Sequence, residues 1–266
     1  MSISSTLVHS AEVRFHEAAD VLRPFVGCFW VITADRDATI RIVPDGSAAI
    51  SIQLQGGRSA EWSLRGPLTR PDELRFTSPT TLTGVRLRPG VAFLVSGIAA
   101  DSLVDRRIGL GNVVAFQELV DVEPRPSTPE QHIAALERVL IHRLRHAAVH
   151  EVVTRALREI ERGRGCVRVA DVAARCGVSP RHLNRLMRLW VGYGTKRFAS
   201  VIRFQSTLHQ MEESPRHPAA SLASDNGYFD QSHLTLDVAR FAGATPGHLT
   251  SNCVADFSKT RCDDLP

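Results

Sequence analysis

The clearest periodic pattern in the chain lies in its second half, over residues 169–190. Apolar residues recur there every three or four positions in two short runs, which is the spacing of amphipathic helices. Gly177 separates the runs. Ser179 followed by Pro180 is typical of a helix start, because the serine hydroxyl can cap a free amide and proline has none to cap. The pattern predicts two helices joined by a tight turn, with these side chains between them: Val172, Ala173, Val178, Leu183 and Leu186.

Polar side chains fill the remaining positions of the second predicted helix. Arginine and asparagine are the side chains that pair with guanine and adenine edges in the major groove. We therefore interpret the stretch as a helix-turn-helix with a DNA recognition helix, and the alternative is an ordinary helical hairpin with a solvated basic face. The outward or flanking side chains are Arg181, His182, Asn184, Arg185 and Arg188.

The same pattern returns about fifty residues later, over residues 220–241. Gly177 matches Gly227. With one more residue in the second turn, Ser179 matches Asp230, which is also a residue type that caps helices. The repeat favours two helix-turn-helix units over a single helical hairpin.

A long helix is predicted between the two units, over residues 196–213, and it ends before Pro215. Two such units joined by one helix, with the segments GVSPRHLNRL, GYFDQSH and GATP, resemble the DNA-binding domain of the AraC/XylS family of bacterial transcription regulators. The resemblance covers residues 164 to about 250. It implies two recognition helices that enter successive major grooves on one face of the duplex.

The resemblance also implies roles for individual side chains, and the chemistry of arginine and asparagine agrees with base reading in the first unit. The predicted base-reading residues are Arg181, Asn184 and Arg185 in the first unit, and Gln231, Ser232 and Thr235 in the second. The predicted phosphate-binding residues are His182, Arg188, Lys196, Arg197 and Arg203.

The second unit departs from the family pattern. Leu236 stands at the position equivalent to Arg185, where relatives commonly carry arginine, and Ala239 also stands where a basic residue is usual. Two explanations stay open for Leu236: a tolerated loss of a contact, or an apolar contact to a thymine methyl group.

Charge divides the two units as well. Residues 163–206 hold nine Lys and Arg side chains against one acidic residue, whereas residues 207–251 hold two against five. Because phosphate contacts supply most non-specific affinity, we expect the first unit to dominate DNA binding. The second unit is then expected to dock weakly, to read little, or to contact RNA polymerase.

The first part of the chain has a β pattern. Residues 22–87 form short alternating segments with Gly, Pro and Asp between them, which predicts an antiparallel sheet or small barrel, and residues 91–98 predict a short helix. Residues 1–20 give little signal and are expected to be a frayed lead-in. The segments RPFVGCFW, RIVPDGSAAISI and GVRLRPGVA resemble the sensory-type domain of one branch of AraC-like regulators, which implies a cupin-like fold with an effector pocket.

Trp30, Trp62 and Arg86 are the side chains that we expect to line such a pocket, for an anionic or aromatic ligand. The alternative is that they are core aromatics and a solvated strand end. Metal or catalytic chemistry is not predicted. Only His9 and His16 precede residue 120, and no GxSxG sequence, carboxylate pair or phosphate loop is present. No enzyme activity, metal or cofactor is therefore expected.

A Pro-rich segment over residues 123–129 is the best domain boundary, and two amphipathic helices follow it. The later helix is expected to pack on the first helix-turn-helix unit, and the earlier one is a candidate dimer contact. His142, His146 and His150 lie four residues apart, on what would be one helix face. They could bind a metal or sense pH, although solvated histidines on a basic helix are the preferred interpretation.

These elements predict an α+β chain in four parts: a β-rich sensory or dimerisation domain (1–122), a linker with connecting helices (123–162), a double helix-turn-helix domain (163–251) and a C-terminal tail (252–266). The residues before 163 carry equal numbers of basic and acidic side chains, so the excess positive charge lies behind them. The five dispersed cysteines are typical of reduced thiols. No apolar run reaches the roughly twenty residues of a membrane span, and no secretory signal is present, so a cytoplasmic protein is expected.

The predicted function is a sequence-specific DNA-binding transcription regulator, with double-stranded promoter DNA as its partner. A small-molecule effector and a homodimer are further expected partners through the β-rich domain. The alternative is a small-molecule-binding or enzymatic β-domain with a degenerate helical tail.

Overall fold

The computed structural model describes residues 3–8, 11–55, 58–59, 61–121, 127–214, 218–249 and 254–255. Residues 123–126 of the predicted linker and most of the predicted C-terminal tail lie outside these ranges. The described chain begins with a β-rich region and continues as helices, which confirms the predicted fold class.

The β-rich region contains two sheets. The strands are β1 (Ile3–Val8), β2 (Ala11–His16), β3 (Val26–Ala34), β4 (Ala38–Ile42), β5 (Ala48–Gln55), β6 (Arg58–Ser59), β7 (Ser63–Arg65), β8 (Asp72–Phe76), β9 (Thr80–Leu87), β10 (Arg107–Gly109) and β11 (Val254–Ala255). The larger sheet has the order β1-β2-β3-β9-β5-β7-β10, with β6 paired to β5, and these pairs are antiparallel. In the smaller sheet β4 lies between β8, which is antiparallel to it, and β11, which is parallel.

Residues 3–8 and 11–16 form strands of the larger sheet, so the expectation of a frayed lead-in was wrong for them. Strand β2 pairs with β3 from Glu12 to His16, with Phe15 opposite Trp30. Ala11 and Val13 of β2 are buried. The alternation in AEVRFH already has the period of a strand, and the partner strand that stabilises it begins only at Val26.

Strand β3 divides the apolar side chains of this region between two cores. Trp30 and Ile32 point into a core that they share with Ile40 of the smaller sheet. Phe29 and Val31 point to the other face, into a core that is covered by helices. This division follows from the two-residue repeat of a strand, since successive side chains leave opposite faces of the sheet.

The helices are α1 (Val91–Ser96), α2 (Gln117–Val120), α3 (Pro129–Leu144), α4 (Glu151–Arg162), α5 (Val169–Arg175), α6 (Pro180–Val191), α7 (Thr195–Glu213), α8 (Ala219–Asp225) and α9 (Gln231–Ala242). The short helix predicted after β9 is α1, and the long predicted helix between the two units is α7. None of the helices in the described ranges combines the length and the apolar character that crossing a lipid bilayer requires.

Helix α3 begins at a capping box, in which Thr128 and Gln131 each accept a hydrogen bond from the other's backbone amide at 3.3 Å. Its apolar face is buried in the core on the helical side of the larger sheet, through Ile133, Leu136 and Leu140. The expectation that this helix makes a dimer contact was therefore wrong for its apolar face, because the β-rich region of the same chain covers it.

Helices α4 to α9 share a third core. Val153 and Ile160 of α4 lie in it with Leu183 of α6, so α4 packs on the first helix-turn-helix unit as predicted. The rings of Phe204 on α7 and Phe241 on α9 lie 5.2 Å apart in the same core. One continuous apolar interior thus connects both units through α7.

Candidate nucleic-acid interface

Helices α5 and α6 form the first predicted helix-turn-helix unit. Gly177 has a φ of +70°, a left-handed conformation that glycine adopts without strain, and it ends α5. The Ser179 hydroxyl accepts a hydrogen bond from the His182 amide at 3.2 Å, and Pro180 occupies the first helical position. The predicted cap, turn and buried contacts of this unit are therefore confirmed.

The first turns of α6 present cationic side chains to solvent. Arg181 and Arg185 are exposed, one helical turn apart on the same face. Arg188 is exposed one turn further along, whereas His182 is half-buried, with a ring nitrogen 3.5 Å from the Arg185 guanidinium. The structure therefore brings the predicted arginines of this unit together on one accessible surface.

Asn184 occupies a different environment from these arginines. Its side-chain oxygen accepts a hydrogen bond from the Thr195 amide at 3.2 Å, at the start of α7. A side chain at Gly194 would place its Cβ only 2.3 Å from that oxygen, so this close approach requires glycine. The Asn184 side chain thus fixes the loop between α6 and α7, and its oxygen is not available to a base.

Helices α8 and α9 repeat the geometry of the first unit. Gly227 has a φ of +66°, and the Asp230 carboxylate accepts a hydrogen bond from the His233 amide at 2.8 Å. Gln231 and Ser232 are exposed at the start of α9. The Thr235 hydroxyl donates to the Gln231 carbonyl oxygen at 2.8 Å, so its proton is used within the helix.

Arg203 does not reach the surface, so its predicted role as a phosphate contact was wrong. Its guanidinium binds the Asp237 carboxylate at 3.0 Å and lies 4.5 Å from the ring centre of Tyr228. The Arg203 side chain is only 16% exposed and that of Asp237 only 14%. The sequence shows that Arg203 lies on a helix but not that an acidic residue of α9 packs against it.

A cleft of about 590 Å³ lies where α6, α7 and α9 meet the β-rich region. Arg188, Lys196 and Arg197 line it, as does Arg240 from the last turn of α9. Asp101 lines it from the β-rich region. Arg240 was not among the predicted site residues, because only the packing of α9 on α7 brings it to the cleft that the cations of the first unit line.

The β-rich region packs against the C-terminal ends of both recognition helices. At the end of α6, the rings of Trp190 and Phe93 meet edge to face with their centres 4.8 Å apart. The Tyr193 hydroxyl donates a hydrogen bond to the Leu68 carbonyl oxygen. Burial raises the pKa of the Tyr193 phenol well above its ordinary value, so the hydroxyl keeps its proton. At the end of α9, the Arg41 guanidinium donates to the Ala242 carbonyl oxygen at 3.5 Å. The exposed first turns of both helices lie at the opposite ends.

The predicted effector pocket is only partly assembled. Trp30 and Arg86 line one small cavity, in which Arg86 is bound to Asp45 at 2.8 Å and to Ser47 at 3.0 Å. The free volume of this cavity is about 20 Å³, which is room for about one water molecule. Trp62 does not join them, because it points to the other face of the sheet. There its ring meets the His132 ring edge to face, with the ring centres 5.5 Å apart.

The three spaced histidines do not share a helix face. Helix α3 ends at Leu144 and α4 begins at Glu151, so His146 lies between them. His150 caps α4, where a ring nitrogen accepts from the Val152 amide at 3.2 Å. Within the described ranges, no three His, Cys, Asp or Glu side chains lie close enough to hold a metal ion. In those ranges, Cys166 and Cys176 form no disulfide.

Family models match two long segments and one short segment of the chain. A helix-turn-helix domain matches residues 172–252, which span both units, and a domain of unknown function matches residues 14–109. A model described as a transcriptional regulator, AbiEi antitoxin, matches residues 155–188. No curated protein matches the sequence.

The chain is also similar to solved structures of ToxT from Vibrio cholerae. A 1.65 Å structure has 10% sequence identity and a TM-score of 0.45, with 82% of this chain and 95% of that chain covered. A structure from strain O395 has 11% identity and a TM-score of 0.43, with coverages of 82% and 94%. A structure of ToxT bound to an unsaturated fatty acid has 9% identity and a TM-score of 0.40, with coverages of 95% and 99%.

Proposed function

We propose that this chain, a member of the AraC/XylS family of DNA-binding transcription regulators, holds promoter DNA chiefly through its first helix-turn-helix unit. The observation that carries the proposal is the exposed cationic face of α6, formed by Arg181, Arg185 and Arg188. Phosphate groups supply most of the affinity of a protein for DNA, so the unit with the excess of cations is expected to dominate binding.

Base reading is assigned to Arg181 and Arg185. Four residues of helix advance about 6 Å, so the two guanidiniums reach edges about two base pairs apart when the start of α6 lies in the major groove. Each guanidinium can donate two parallel hydrogen bonds to guanine O6 and N7. Asn184 is assigned a positioning role instead, since its oxygen holds the start of α7.

Phosphate binding is assigned to the cations that line the cleft beside α6. Arg188, Lys196 and Arg197 of the first unit lie there with Arg240 of the second. A phosphate strand that follows this cleft releases the counterions that it held in solution, which strengthens binding at low salt. His182 is half-buried beside Arg185 and would add at most a contact at the edge of this surface.

The β-rich region is assigned a regulatory role, because it contacts the ends of both recognition helices that face away from the reading surface. A change in this region can therefore alter how α6 and α9 sit relative to each other without covering Arg181 or Gln231. The effector, a homodimer and contact with RNA polymerase stay predictions from the sequence.

The test compares one reading residue from each unit in the full chain, on a duplex obtained by selection from random sequences. Arg185→Ala is expected to weaken binding about tenfold or more, since a bidentate base contact discriminates by roughly 1–3 kcal/mol. Thr235→Ala is expected to weaken it less than about threefold, because its hydroxyl already donates within the helix. Arg145→Ala, at an exposed arginine that follows α3, is the matched control and should change nothing.

An equal or larger loss from Thr235→Ala would contradict the dominance of the first unit. The regulatory function itself is tested with the same proteins. The chain should bind the selected duplex at least about a thousandfold more tightly than random duplex, with an affinity that falls steeply as salt is raised. Equal affinity for both duplexes would favour the small-molecule-binding or enzymatic alternative.

A further inference from the structure

We infer that the second helix-turn-helix unit reads thymine, through apolar contact between the Leu236 side chain and thymine C5 methyl groups in the major groove. This inference rests on the proposed function, because it needs the first unit to hold the duplex. It assigns a specificity-determining residue at the position where the second unit departs from its family.

The two recognition helices place Leu236 and Arg185 at equivalent points. Ser179 and Asp230 cap the two helices in the same way, each accepting from the amide three residues later. Counted from these caps, Arg185 and Leu236 both stand at the sixth helical position, and both are exposed. A helix that enters the groove as α6 does would therefore bring an isobutyl group to the base edges instead of a guanidinium.

The two polar side chains that flank Leu236 in the sequence make contacts within the protein. The Thr235 hydroxyl donates to the Gln231 carbonyl oxygen at 2.8 Å. The Asp237 carboxylate is bound by Arg203 and is 14% exposed, so its negative charge is compensated and turned inward. Asp237 therefore presents little negative charge to DNA beside Leu236.

Exposed apolar side chains are concentrated at this helix. Leu236 is 70% exposed and Phe229, just before the Asp230 cap, is 93% exposed. They are the large apolar side chains that remain exposed in the described part of the helical region. The major groove offers an apolar partner of matching size at each A·T pair, the thymine methyl group.

The first unit can carry the second to the duplex despite the acidic residues of the second. Helix α7 connects the two units, since its Phe204 packs on Phe241 of α9 and its Arg203 binds Asp237. Once the cations of the first unit are bound, α9 meets the neighbouring groove at a high effective concentration. An apolar contact then adds sequence preference without adding a phosphate contact.

The experiment uses the full chain and the duplex that it selects from random sequences, with footprinting to locate the stretch that each unit protects. Each thymine in the stretch protected by the second unit is replaced singly by deoxyuridine, which lacks only the C5 methyl group. Wild-type protein is expected to bind about fourfold more weakly for each contacted methyl that is removed. Leu236→Ala should bind the thymine and uracil duplexes equally. Val114→Ala, at another exposed apolar residue, should keep the full wild-type response.

A second variant makes the test independent of lost affinity. Selection with Leu236→Arg is expected to replace thymine by guanine at the affected position and to steepen the salt dependence of binding. The inference is overturned if uracil substitution has no effect on wild-type binding, if Leu236→Ala keeps the uracil response, or if the second unit protects no DNA. It is also overturned if Leu236→Ala leaves DNA binding unchanged but lowers transcription with purified RNA polymerase. Failure of the chain to select any duplex would count against the proposed function instead.

Discussion

The two helix-turn-helix units have the same backbone geometry and opposite outer surfaces. Gly177 and Gly227 adopt the same left-handed turn, and Leu183 and Leu234 are both fully buried at the same position of their helices. The outward position that carries Arg185 in α6 carries Leu236 in α9. The caps, turns and buried apolar positions therefore preserve the helix-turn-helix motif. The exposed positions can change, and with them the groups offered to nucleic acid, without altering the backbone.

The units also differ in how they use charge. Arg181, Arg185 and Arg188 of the first unit are exposed. Arg203 instead lies in the interior, where it forms an ion pair with Asp237 of the second unit. A residue that lies in the basic half of the domain therefore stabilises the acidic half. A count of charges along the chain overstates the surface difference between the units for this reason.

The largest effect is expected from the buried leucines, and it tests whether the second unit is as well folded as the first. Leu183→Ala and Leu234→Ala should each lower the free energy of unfolding by about 3–4 kcal/mol, because both side chains are fully buried. Urea unfolding of the full chain measures this. Leu236→Ala, two residues along the same helix and exposed, is the control and should change stability by less than about 0.5 kcal/mol. A negligible cost for Leu234→Ala would identify the second unit as a degenerate tail.

A smaller effect is expected at the ion pair that joins α7 to α9. Arg203→Met should lower the free energy of unfolding by about 2 kcal/mol, because the Asp237 carboxylate stays largely buried without its partner. Adding Asp237→Asn should restore part of the loss. If Arg203→Met instead leaves stability unchanged and lowers the salt dependence of DNA binding, Arg203 is a phosphate contact after all.

The smallest effect is expected at the two helix caps, and it tests their equivalence. Ser179→Ala and Asp230→Ala should each cost about 1 kcal/mol in urea unfolding, because each removes the acceptor of one first-turn amide. The loss at Asp230 should shrink more with added salt, since its charge also interacts with the helix dipole. A cost at only one of the two positions would show that the units are not capped alike.

Features that depend on near neighbours along the chain could be predicted from the sequence. The caps at Ser179 and Asp230 were predicted in this way, because a cap, a turn glycine and a helical repeat act within a few residues. The β-rich character of the first half followed from its alternation. The prediction of a frayed lead-in was wrong for β2, because this strand is stabilised by its distant partner β3.

Packing between distant segments determines which polar side chains face solvent. Arg203 and Arg188 look alike in the sequence, yet one is bound to Asp237 and the other lines an open cleft. Asn184 looks like a base-reading residue, yet its side-chain oxygen accepts a hydrogen bond from the Thr195 amide at the start of α7. The physical reason is that a hydrogen bond or an ion pair needs two groups within about 3 Å. Packing between distant segments, and not the periodicity of either one, brings such groups together.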